Sequence, residues 1–243
     1  DLQIGNLQGQ YTAAVTELDF KRALALRGKM KELKVQKQDL HNTDDFSAHL
    51  RFRIAQTFYE MGQSWEALWT YWTTWYDYRT SDFAEDALFA AYSLAGELMQ
   101  YDRALELGIT YVTQFENGNY YDDASLMLAQ IYLTKEDFNT CIETCRHTLE
   151  QHPEHSYADQ LHFMIGYSYF QLEEFDAALK TFRGLQTAFS EGSAREPCDY
   201  WIAMTLLYKE DYAEAIDAFN DFTTVHPGGI YFEDAQFRVP VCD

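Results

Sequence analysis

His147, His152, His155 and His162, with Cys145 beside them, are the closest this chain comes to a metal-ligating run. Imidazole and thiolate are zinc's preferred donors, but a structural site needs four of them converging on one point. The spacings put these candidates on a helix end, a turn and the next helix, so convergence would be fortuitous. They read instead as exposed or capping histidines, and neither metal nor cofactor is expected. Cys141 and Cys145, four apart on a helix, share one face in poor geometry for a disulfide. They read as buried packing residues, as does Cys198. Four cysteines in 243 residues make no disulfide framework. The carboxylates scatter along turns and outer faces rather than pairing for acid–base work. The sequence has no nucleophile elbow, phosphate-binding glycine loop, His-Glu-x-x-His or Cys-x-x-Cys. No catalytic residue is assigned, and the chain is read as a non-enzyme.

The elements that position these side chains follow one period. A small residue followed by Leu or Ile recurs at Ala67-Leu68, Ala104-Leu105, Cys141-Ile142, Ala178-Leu179 and Ala215-Ile216, at steps of 37 residues. Three residues earlier stands Ser64 in the first copy and then an aromatic, Tyr101, Phe138, Phe175 and Tyr212. Twelve residues earlier the column is mostly small: Ala55, Tyr92, Ala129, Gly166 and Ala203. Apolar intervals of three and four describe helices, and no stretch alternates with period two. Short polar turns such as Lys135-Glu136-Asp137 separate the helices of a unit. Breakers such as His152-Pro153-Glu154 and His226-Pro227-Gly228-Gly229 separate the units. A unit this small cannot bury its own apolar face, so copies must stack.

These columns resemble the tetratricopeptide repeat, whose usual period is about 34. The resemblance covers residues 46–239 and implies an all-α, right-handed helical-hairpin solenoid (TPR-like). Its units would be about five regular 37-residue repeats, 48–84, 85–121, 122–158, 159–195 and 196–232, then a partial helix over 233–243. The longer unit resembles those of bacterial envelope proteins, the Tol–Pal accessory periplasmic protein and the lipoprotein of the outer-membrane β-barrel assembly machine. A periplasmic or envelope-associated location is therefore expected, with the cytoplasm as the alternative. In repeats of this kind the first helices line a concave surface. Counting places 2, 5, 9, 12 and 13 of each first helix gives Phe52, Tyr59, Phe89, Leu126, Phe163, Tyr167, Phe170, Tyr200, Met204 and Tyr208 as partner-binding residues. That set is aromatic and free of Lys and Arg. It argues against a cationic clamp for acidic tails and suits an apolar or aromatic peptide. The alternative is that these rings pack against neighbouring repeats or against residues 1–45.

Residues 1–45 break the period, although Phe20, Ala23 and Leu24 repeat the second-helix pattern. They are read as a degenerate first unit with a long helix. Its stripe of Lys21, Arg22, Arg27, Lys29, Lys31, Lys34 and Lys37 balances seven acidic residues. The formal charge of −21 therefore lies in residues 46–243. Such a field repels nucleic acid and anionic membranes and favours basic partners or plain solubility. No apolar run reaches the ~20 residues that cross a bilayer. The chain ends on what reads as an opened first helix interrupted by Pro240. It is expected either to be part of a longer protein or to close that end by self-association. A second aromatic group, Trp65, Trp69, Tyr71, Trp72, Trp75, Tyr76 and Tyr78, cannot share one face of one helix. Core packing with the leading helix is the main reading; an exposed belt for a protein or a sugar is the alternative. The functional expectation is a non-enzymatic scaffold for a protein or peptide partner. The alternatives are a receptor for an apolar or aromatic small molecule, or the interaction arm of a larger machine.

Overall fold

The computed structural model describes residues 43–189 and 192–242, with residues 6–8, 10 and 29; the side chains of 240–242 are not among them. The expected unit over residues 1–45 and its basic stripe lie almost wholly outside the described residues. Every regular element described is helical. Helix α1 covers residues 43–60. It is followed by α2 (Ser64–Asp77), α3 (Ala84–Glu97), α4 (Tyr101–Gln114), α5 (Tyr121–Thr134), α6 (Phe138–Gln151), α7 (Ala158–Gln171), α8 (Phe175–Ala188), α9 (Arg195–Tyr208), α10 (Tyr212–Val225) and α11 (Phe232–Cys242). The aromatic column marks the first residue of each second helix. The final helix corrects the sequence expectation, since it runs past Pro240 to Cys242. A proline in a last turn removes one N–H and disturbs one carbonyl, which a helix end tolerates better than its middle.

The turn inside each hairpin is the same motif five times. The backbone N–H groups of Glu136 and Asp137 donate to the carbonyls of Leu133 and Tyr132, and the pairs at Gly62, Met99, Glu173 and Glu210 repeat this pattern. That is the Schellman arrangement, which needs a left-handed residue just past the helix end. The φ angles there are 74° at Gly62, 54° at Met99, 57° at Glu136, 60° at Glu173 and 65° at Glu210. Four of the five positions therefore hold a side chain where glycine is preferred. Helix starts carry acid: Asp122 and Asp123 in α5, Asp159 in α7 and Glu233 and Asp234 in α11, each facing an N-terminal dipole.

The chain forms two compact units, one through Leu94 and one from Ala95. In the first, Ala55, Ala67, Tyr71 and Trp75 are buried. Phe52 packs on Tyr71 at 5.3 Å and on Phe83 at 6.0 Å, and His49 stacks on Phe83 at 4.6 Å. In the second, consecutive helices pack in order, and the first helices α5, α7 and α9 also touch one another. The columns Ala104, Cys141, Ala178 and Ala215, and Ala124, Leu161, Cys198 and Ala235, have no exposed surface. Gly166 shows why one column stays small: a Cβ there would lie 2.5 Å from the ring of Phe182.

Carboxylates tie successive hairpins together in this second unit. Asp122 accepts from the Ser156 N–H at 2.9 Å and from the Ser156 hydroxyl at 2.5 Å. One period on, Asp159 accepts from the Ala194 N–H at 3.1 Å and the Ser193 hydroxyl at 3.0 Å. Glutamate in a left-handed turn carries a steric cost that glycine escapes. Replacing Glu136, Glu173 or Glu210 singly by Gly is therefore expected to raise stability by about 1 kcal/mol, read as a higher urea midpoint at unchanged slope. A lowered midpoint would mean that the side chain contributes something the turn geometry does not show.

Candidate functional site

Helices α7 and α9 assemble the densest aromatic surface of the second unit. Trp201 is its hub. Its indole meets Tyr167 edge-on at 4.9 Å and Phe170 at 4.9 Å. Phe170 continues to Tyr208 at 5.2 Å and to Phe175 at 5.8 Å, while Phe163 lies beside Tyr167 at 6.2 Å. Phe163, Tyr167, Phe170 and Trp201 are half-buried and Tyr208 is 55% exposed. One face of this cluster is thus open. The nearest cation in sequence, Lys209, is already held by Asp176 at 2.9 Å and Asp211 at 3.3 Å.

Four of the expected contact residues therefore meet on one surface: Phe163, Tyr167, Phe170 and Tyr208. Leu126, Tyr200 and Met204 are instead buried at 9%, 5% and 5% exposure. Tyr200 shows the cause: Tyr231 of the following turn stacks on its ring at 4.4 Å, and its hydroxyl donates to Asp234. Burial and that carboxylate push the Tyr200 phenol up from its ordinary range. Trp201 was not among the expected residues. It falls one place beyond the counted positions, and its ring size was the available signal.

In the first unit Tyr59 is exposed, while Phe52 and Phe89 are half-buried. Helix α2 splits its aromatics by face. Tyr71 and Trp75 are buried, whereas Trp65, Trp69 and Tyr76 are exposed. Trp69 meets Trp72 at 5.1 Å and Trp72 meets Tyr76 at 5.4 Å, so rings run along the outer face, and Arg79 lies over Trp75 and Tyr76.

The histidines do not converge. His147 is exposed, His162 lies near Phe189, and His152 packs on Tyr121 with ring centroids 4.1 Å apart. Among the described residues no three His, Cys, Asp or Glu side chains gather around one point. His155 caps as expected but is buried. It occupies the turn column that elsewhere holds Ser81, Gly118, Gly192 and Gly229. Its Nδ1 accepts the Tyr157 N–H at 3.1 Å and its Nε2 lies 2.8 Å from Ser125 Oγ. Ser125, His155 and Asp122 have the residue types of a hydrolytic triad without its geometry. Asp122 approaches the same Nε2, at 3.5 Å, instead of the opposite nitrogen, and the Ser125 hydroxyl donates to the Tyr121 carbonyl at 2.8 Å. Among the described thiols, Cys141 is held below its ordinary value chiefly by its contact with Cys145, but it has no exposed surface. Cys141, Cys145 and Cys198 are buried and free, and burial pushes Cys198 up to about 12.

With the geometry in hand, comparison with known proteins is specific about the repeats. A tetratricopeptide-repeat family model matches residues 159–187, which hold α7 and α8, and a second of the same description matches 198–229. Over those residues the chain carries tetratricopeptide repeats. Solved structures extend the likeness. RapI in its apo form is 12% identical with a TM-score of 0.66, over 98% of this chain and 80% of that one. YrrB, described as a TPR protein with an unusual peptide-binding site, is 16% identical with a TM-score of 0.59, over 83% and 97%. MamA from Desulfovibrio magneticus RS-1 is 16% identical with a TM-score of 0.58, over 78% and 96%. At such identities the likeness is one of fold. Comparison with curated proteins gives no match. No helix among the described residues is long and apolar enough to cross a membrane.

His155 carries a pH dependence. Burial holds its imidazole below its ordinary value, although Asp122 and Asp123 oppose this and His152 adds to it. The unfolded chain therefore takes up the proton first. Stability is full above about pH 7 and is lost as pH falls through the unfolded value of about 6.5. His155→Asn keeps an acceptor for the Tyr157 N–H and removes the titration. It is expected to flatten the loss of urea midpoint between pH 7 and 5, leaving the part due to His162, which burial also lowers. An unchanged slope would exclude His155 as the source.

Proposed function

We propose that this protein is a non-enzymatic interaction scaffold that holds an apolar or aromatic peptide segment on the concave face formed by its first helices. Proteins built from this repeat generally mediate protein–protein contacts, and that background supports the class. The observation that carries the finer reading is the open cluster around Trp201. Half-exposed rings with one wet edge supply contact area at small entropic cost, and such residues dominate binding energies at interfaces. Phe163, Tyr167, Phe170, Trp201 and Tyr208 form the proposed contact set in the second unit. Phe52, Tyr59 and Phe89 are the proposed set in the first. Tyr200 and Met204 belong to the buried core on which Phe163, Tyr167, Phe170 and Trp201 pack, whereas Leu126 lies in the preceding core cluster.

An immobilised peptide array probed with the wild-type chain and with the Tyr167→Ala/Tyr208→Ala variant tests this directly. Peptides rich in Phe, Leu and Trp are expected to retain the wild type and to bind the variant at least about tenfold less, at unchanged melting temperature. Equal retention of the two proteins sinks the site. We also place the chain in a bacterial envelope, on the strength of its 37-residue units. Recovery from the periplasmic or membrane fraction of source cells is the expected result; recovery with the cytosol reverses it.

A further inference from the structure

The second helices leave trenches between them, each floored by the intervening first helix. Three are present in the second unit at successive 37-residue steps. The one between α4 and α6 has a volume of about 580 Å³, that between α6 and α8 about 720 Å³, and that between α8 and α10 about 420 Å³. They are equivalent in position, but the middle one differs from the other two in charge. The first is edged by Glu116 and Glu143, without lysine or arginine. The third is edged by Glu214, Asp217 and Asp221, and its arginines are spent: Arg183 on Glu214 and Arg195 on Asp199. The middle trench carries Arg146 on its α6 side and Lys180 on its α8 side, with Glu150 as its one carboxylate.

From Ala95 onward the chain has 26 carboxylates and only 8 Lys or Arg side chains. Six of these cations pair with a carboxylate: Arg103, Lys135, Arg183, Arg195, Lys209 and Arg238. The two that do not, among the described residues, are Arg146 and Lys180. Arg146 donates instead to the Tyr169 hydroxyl at 2.6 Å. In so acidic a protein, two cations without a carboxylate partner facing one apolar trench mark a place kept for an anion supplied from outside.

The trench also has a shape. Its floor is Ile165 of α7, and Leu149, Leu185 and Phe189 add apolar surface from the flanking helices. Its α8 wall is Ala177, Thr181, Gly184 and Ala188, spaced over eleven residues or about 16 Å. The same positions in α10 hold Glu214, Ala218, Asp221 and Val225. A Cβ on Gly184 would meet nothing within 4 Å. A long slot with an apolar floor, a low wall and paired cations on its two edges fits an elongated occupant. We infer that the trench between α6 and α8 docks an amphipathic helix of a partner protein, apolar on its buried face and bearing Asp or Glu that reach Arg146 and Lys180. This face of α7 (His162, Ile165, Tyr169) is distinct from the face bearing Phe163, Tyr167 and Phe170, so the two surfaces can be occupied independently.

The test is selection from a phage-displayed library of helical peptides on the full chain, with counter-selection on Arg146→Gln/Lys180→Glu. Surviving clones are expected to be enriched in Asp and Glu beside an apolar stripe. They should bind the double variant at least about tenfold more weakly, and added salt should weaken them further. Gly184→Leu fills the slot without touching charge in an exposed helix position. It is expected to fold at least as stably as wild type and to abolish binding, which a purely structural role for Gly184 would not produce. Tyr167→Ala/Tyr208→Ala should leave these clones bound, separating this surface from the aromatic one. No survivors, or survivors without acidic enrichment, overturn the inference. Lys180-dependent binding of dodecanoate with no helical clones would also overturn it and give the trench to a small carboxylate.

Discussion

Two helices of fourteen residues cannot bury their own apolar faces, and in this chain each pair crosses where a small residue has no exposed surface at all. Much of the remaining geometry follows from that crossing. At Gly166 the space a methyl would need is taken by the ring of Phe182, so bulk is exchanged between columns and neither can grow alone. The crossing also fixes how far the chain can travel between helices. Three residues connect α5 to α6 and α7 to α8, and a turn that short must put one of them in the left-handed region. Tight packing prevails over local preference, and glutamate accepts a conformation that glycine would adopt freely.

The periodic part of this architecture was open to reading because helices write their buried faces at intervals of three and four. Columns of small and aromatic residues located the helix starts and the turns between them. The left-handed turns were not readable at Met99, Glu136, Glu173 and Glu210, since glycine is the cue and only Gly62 supplies it. The continuation of α11 through Pro240 was hidden for a similar reason, a residue type standing where its usual effect is small. The aromatic surface was legible in kind and only partly in membership. Counting helical places cannot tell a ring with a neighbour above it from one without. Tyr200 is covered by Tyr231 and Asp234, while Tyr208 is open. The burial of His155, read from sequence as exposed or capping, was not legible because an imidazole in a mostly glycine column has no signature until its partners Ser125 and Tyr157 are placed beside it.

The acidity of the molecule is spent locally. Carboxylates sit at helix starts, where unpaired N–H groups welcome them, and Asp122 and Asp159 go further by gripping the turn of the next hairpin. Others neutralise cations, one helical turn away at Arg103, Arg195 and Arg238 and on a neighbouring hairpin at Lys135, Arg183 and Lys209. The net field is what remains after these engagements, and it makes any uncommitted cation conspicuous. This is why the two sides of α7 differ so much in character, one offering rings with almost no charge and the other offering charge over an apolar floor.

The grips made by Asp122 and Asp159 reach 34 or 35 residues along the chain, one hairpin and no further. A contact of that span is cheap to close, and chains dominated by such contacts fold quickly. It also gives the molecule a direction in time. As the polypeptide leaves the ribosome, the hairpins that begin at α7 and α9 each find a receiving carboxylate already held on the hairpin made before them, so assembly there can keep pace with synthesis without waiting for distant sequence.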